Sequence, residues 1–106
     1  MGIDEPTIRQ IVRRILAVAR PDRIILFGSA ATGAMTRDSD IDLLVVEPAI
    51  PDRQSEYKRI RRALWDIDYP FDIILITTQW FDETKNVVGG IAYPANKYGK
   101  VIYEAA

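Results

Sequence analysis

Apolar residues follow two spacings along this chain, and the changes between them mark its elements. Ile8, Ile11, Val12, Ile15, Leu16 and Ala19 recur at three- and four-residue intervals, the stripe of an amphipathic helix. Asp4-Glu5-Pro6 opens that helix, with acids at its positive end and proline in its first turn, and Pro21-Asp22 closes it. Arg23 to Phe27 then reads as a strand whose unbroken apolar run suits a position covered on both faces. A second strand runs from Ile41 to Val46, with Ile41, Leu43 and Val45 on one face and Asp42, Leu44 and Val46 on the other. Glu47-Pro48-Ala49-Ile50-Pro51 breaks it, because proline excludes both the ladder and the helix.

Asp52 is placed to cap a helix running to about Asp66, with Tyr57, Ile60 and Leu64 as its inner stripe. Pro70 to Ile76 is a third strand, and the helix-bearing segment before it is long enough for a parallel crossover. Thr77-Thr78 offers the cap of a short helix through Glu83, in which Trp80 and Phe81 are both expected to pack under the sheet. Gly89-Gly90 reads as a turn, and Ile91 to Tyr98 as a last helix that tolerates Pro94 only in its first turn. Gly99 is expected to stop that helix in the left-handed conformation, ahead of a short strand from Lys100 to Tyr103. The sum is an α+β fold: a small mixed sheet flanked by helices, one domain over residues 1–106.

Composition narrows the chemistry. With 48% hydrophobic and 27% charged residues the chain has the balance of a folded globular protein. Its apolar runs are too short to span a bilayer, and its start is acidic where a secretory signal would be basic, so a cytoplasmic protein with no membrane contact is expected. There is no Cys and no His, which removes thiol chemistry, the commonest general base and the usual zinc ligand. Catalysis is left to carboxylates, hydroxyls, cations or a bound metal. A net charge of −1 argues against direct, generic nucleic-acid binding. Arg53, Lys58, Arg59, Arg61 and Arg62 nevertheless make one helix strongly basic. That cluster is either a solvated face balanced by Glu56 and Asp66, or a contact for phosphates, RNA or an acidic partner.

The candidate chemistry gathers between Ile25 and Val46. Gly28-Ser29 ends the first strand with a residue lacking Cβ and a residue adding a hydroxyl and an amide, a combination suited to phosphate oxygens. Asp40 and Asp42 share one face, their Cα atoms about 6.6 Å apart at the usual strand rise. Such a pair repels itself unless a cation lies between, and hard oxygen ligands favour Mg2+ or Mn2+. The phosphate turn and the acid pair meet only if the first two strands run antiparallel. A parallel third strand then carries Asp72 to the same end of the sheet. Each feature alone is more often a turn or a capped loop, but three acids at one sheet end are costly without counter-charge. Ser39 and Arg37 fall in the loop ahead of the acid pair, where a turn residue and an ordinary exposed arginine are the plain readings.

Gly28-Ser29, Asp40-x-Asp42 and the strand-borne Asp72, over a similarity running from about Ile8 to Glu104, resemble the signature of the DNA polymerase β-like nucleotidyltransferase superfamily. The short length and the Gly-Lys-Val-Ile-Tyr-Glu ending are similar to its minimal nucleotidyltransferases, the antitoxin half of HEPN/MNT toxin–antitoxin pairs. The resemblance implies that Asp40, Asp42 and Asp72 bind two Mg2+ ions, Mn2+ being an alternative, and that Gly28 and Ser29, with help from Ser39 and Arg37, hold a nucleoside triphosphate. It implies transfer of AMP from ATP to a tyrosine of a cognate HEPN ribonuclease toxin, within a homo- or hetero-oligomer. Two other readings stay open: an antitoxin that acts by binding alone, and an aminoglycoside-type nucleotidyltransferase that needs a partner subunit. One position departs from the pattern. Thr32 stands where many relatives carry an arginine before the glycine matching Gly33, which bears on nucleotide affinity and not on the acids.

Overall fold

A computed structural model describes residues 3–28, 31 and 39–106. The order of elements is α1 (Glu5–Leu16), β1 (Arg23–Phe27), β2 (Ile41–Glu47), α2 (Arg53–Ala63), β3 (Phe71–Thr77), α3 (Thr78–Thr84), α4 (Ala92–Tyr98) and β4 (Lys100–Glu104). The strands form one mixed sheet in the order β3-β2-β1-β4. β1 runs antiparallel to both β2 and β4, and β2 runs parallel to β3, so the α+β architecture and both expected pairings are present.

Strand alternation divides the interior in two. On one face Ile24, Leu26, Leu43, Val45, Ile73 and Leu75 meet Ile8, Ile11 and Ile15 of α1 and Ile60 of α2. On the other, Ile25, Leu44, Val46 and Ile76 meet Phe81 of α3 and Ala92 and Ala95 of α4. Capping follows the residues that favour it. The Asp4 carboxylate accepts from the Thr7 amide, Asp52 from Ser55, and the Thr77 hydroxyl from Trp80.

Four local expectations are corrected. α1 ends at Leu16 and not at the proline, because Val18 and Ala19 both turn back to the Ile15 carbonyl, at 3.1 and 2.9 Å. α2 ends at Ala63 and not near Asp66. There the amides of Leu64 and Trp65 tighten onto carbonyls three residues back, and the Asp66 carboxylate is taken by Arg14 across the α1–α2 contact. Of the aromatic pair in α3, Phe81 is buried while Trp80 stays 56% exposed. Adjacent helical positions lie about 100° apart, so one short helix cannot bury both.

Gly99 is the fourth. Its φ of −76° and ψ of 166° are extended, not left-handed. The glycine is needed for space: a Cβ there would lie 2.3 Å from the Ala95 carbonyl oxygen and 2.6 Å from Ile25 Cγ2. Pro94 does fall in the first turn of α4.

Candidate active site

The site grows from the register of three neighbouring strands. Asp42, the second residue of β2, lies opposite Phe27 at the end of β1 and opposite Asp72, the second residue of β3. Asp40 sits two residues ahead of Asp42, just outside the strand, and Gly28 follows Phe27. The antiparallel and parallel pairings thus bring Gly28, Asp40, Asp42 and Asp72 to one end of the sheet. Asp42 and Asp72 share the parity of Leu44, Val46, Ile74 and Ile76, so both stand on the face covered by α3 and α4.

Gly28 and Asp42 are in contact. The glycine has φ +69°, and a Cβ added to it would lie 2.3 Å from Asp42 Oδ2. Two independent demands therefore fall on this residue: a left-handed backbone and room for a carboxylate.

Asp42 is half-buried, whereas Asp40 and Asp72 are exposed. Its carboxyl is pushed above the usual aspartate range, first by burial, then by the charge of Asp72, then by that of Asp40. The three acids are close enough to repel, which is the electrostatic state a divalent cation relieves. Among the described residues, however, no three acidic side chains close around a single point where an ion could sit. Hard carboxylate oxygens gathered under mutual repulsion suit Mg2+ in donor type and charge.

Ser39 is half-buried beside Asp40 and has an interaction partner. Ser29, Arg37, Thr32 and Gly33 lie outside the described residues.

One buried acid was not anticipated by the sequence. Glu47 completes β2 where a break was expected, is 4% exposed, and leaves Oε1 without a hydrogen-bond partner among the described residues. Burial and the neighbouring Glu56, partly offset by Arg59, push its carboxyl up to about 8. It lies at the opposite end of β2 from Asp42 and takes no part in the acid cluster.

With this geometry in place, comparisons with known proteins give a consistent result. A family model described as a nucleotidyltransferase domain matches residues 6–90. Comparison with curated proteins gives no match. Among solved structures, a chain of a toxin–antitoxin complex with AMP-PNP superposes with a TM-score of 0.70 at 18% identity, covering 92% of this chain and 73% of its own. A chain from a mutant MntA–HpeT toxin–antitoxin complex gives 0.67 at 15% identity, with 92% and 73% covered. A third chain comes from a complex of the tri-AMPylated Shewanella oneidensis HEPN toxin with its MNT antitoxin. It gives 0.65 at 14% identity, with 97% and 74% covered. At these identities the structures share the fold.

Proposed function

The chain belongs to the nucleotidyltransferase domain family, and from that premise we propose that it transfers AMP from ATP to a tyrosine hydroxyl of a HEPN-type toxin, as a cytoplasmic antitoxin. The observation that carries this reading is the contact of the left-handed Gly28 with the carboxylate of Asp42, which is itself the register partner of Asp72. It sets the turn that would hold phosphate directly beside the acid cluster. Support for the acceptor comes from the fold neighbours, one solved with AMP-PNP and one containing an AMPylated HEPN toxin.

Each residue then has a task. Gly28 and Ser29 hold the β- and γ-phosphates, with Ser39 shaping the loop and Arg37 offsetting triphosphate charge in place of the arginine missing at Thr32. Asp40, Asp42 and Asp72 would hold two Mg2+ ions, which would supply Lewis acidity and charge compensation for the triphosphate. The hydroxyl oxygen attacks the α-phosphorus, the bond from that phosphorus to the bridging oxygen breaks, and pyrophosphate leaves. The hydroxyl proton passes to the exposed Asp72 carboxylate and on to solvent.

The test is to incubate the chain and its HEPN partner with ATP and Mg2+ and read the partner by mass spectrometry. One or more added AMP groups on tyrosine are expected, lost in Asp42→Asn and Asp72→Asn. A second reading, neutralisation by binding alone, is favoured by one observation: the acids do not close on a common point. It wins if the Asp42→Asn variant still silences the toxin fully and no AMP appears on wild-type partner.

A further inference from the structure

We propose that the open edge of β3 is a strand-addition seat for an extended, acidic segment of another protein. This inference goes beyond nucleotidyl transfer and does not rest on it.

Among the described residues β3 is an outer strand of the sheet, hydrogen-bonded to β2 on one side. Natural edge strands are usually blunted by charge, proline, a bulge or brevity. This one is seven residues of Phe-Asp-Ile-Ile-Leu-Ile-Thr in unbroken register with β2 from Phe71 to Thr77, its one charge lying at the acid-cluster end. Two contacts fix which backbone groups face outward. The Pro70 carbonyl accepts from Ile41 at 2.8 Å and so points toward β2, whereas the Leu75 carbonyl accepts from the Arg53 guanidinium on the outer side. By the two-residue period of a strand, Phe71 and Ile73 present their amides and carbonyls to the open edge and Leu75 its amide, the Leu75 carbonyl being held by Arg53.

The edge is lined for side chains. A cleft of about 490 Å3 lies between α2 and β3, with Tyr57 and Ile74 on its walls. A second, of about 200 Å3, continues past the shared Ile73 to Tyr69 and Trp65, the latter 86% exposed. Along this edge strand addition provides main-chain bonds and alternating side-chain pockets together.

Charge selects the occupant. Arg53 and Lys58 border the larger cleft and Arg61 the smaller one. The carboxylates that would balance α2 are engaged: Glu56 with Arg59 at 2.6 Å, and Asp66 with Arg14 of α1. Among the described residues Lys58 and Arg61 form no ion pair, and Arg61 reaches only the Tyr57 hydroxyl, at 3.4 Å. A second copy would bring its own basic α2 against this one, whereas a strand bearing Glu or Asp on the side facing α2 meets complementary charge.

The experiment is an NMR titration of the chain, without ATP or Mg2+, by a capped heptapeptide of alternating Glu and Val, with an alternating Lys and Val peptide as control. The Glu peptide should shift the Ile73 and Leu75 amides and slow their exchange at least tenfold, leaving Ile74, already paired to β2, unmoved. The exposed double change Lys58→Glu with Arg61→Glu should weaken that binding at least tenfold. No effect at millimolar peptide, equal binding of the Lys peptide, or protection of the same amides by self-association would each overturn the proposal. A chain that fails to transfer AMP yet passes this test retains the docking edge.

Discussion

At the scale of single residues the site is a set of like charges held against one another. Asp42 is raised by burial and by two like charges, so in the metal-free protein its ionised form weakens the fold. The sign is explicit: a carboxyl whose folded pKa lies above its unfolded 3.8 costs stability increasingly as pH rises past that value. Asp42→Asn should therefore be more stable than wild type at pH 7 without metal and nearly equal to it below pH 4, while losing transfer activity. Urea midpoints at the two pH values check it. Added Mg2+ should raise the Tm of wild type and leave that of the variant unchanged. Gly28→Ala loses on both counts. It should lose ~1–2 kcal/mol to left-handed strain and at least tenfold in transfer, because the new methyl displaces Asp42 Oδ2.

The elements hold these residues in place, and they also explain what the sequence disclosed. β1, β2 and β3 were legible because their apolar runs are bounded by Gly28, Pro48 and Pro70, which leave little choice of limits. The end-on meeting of Gly28, Asp42 and Asp72 followed from antiparallel and parallel pairing alone. What stayed hidden depends on contacts between segments far apart in sequence. Asp66 looked like part of α2 until Arg14 took it, and Gly99 looked like a left-handed stop until Ile25 was found against it. Gly99→Ala should cost ~1–3 kcal/mol by overpacking, read as a lower Tm, although φ at that position suits alanine.

Glu47 also belongs to this scale. Its place at the buried end of β2 reflects the hold of the ladder to Thr77, which no local pattern announces. Its carboxyl titrates near 8 folded against 4.5 unfolded, so the folded state keeps a proton that the unfolded chain releases. Stability should fall as pH rises from about 4.5 to about 8, and Glu47→Gln should flatten that slope and be the more stable protein at pH 8. Urea denaturation across the window tests it.

For the molecule as a whole, neighbouring residues of one central strand belong to different interiors. Ile24 packs with α1 and α2, and Ile25 with α3 and α4. Replacing either by alanine should cost ~2–5 kcal/mol, against a total of roughly 5–15 kcal/mol for a typical domain. The two losses should nearly add, since the side chains share no neighbours across the sheet. Calorimetry of both single variants and the double variant measures this, and the double variant is expected to be largely unfolded.

The rung joining Asp42 to Asp72 is one step in an unbroken ladder that ends at Glu47 and Thr77. A slip of a single position along it would swing Asp72 to the far side of the sheet and expose Ile73 and Leu75 in the same movement. Assembly of the acid cluster is in this way proofread by hydrophobic burial: a misthreaded copy is unstable before it is ever chemically wrong.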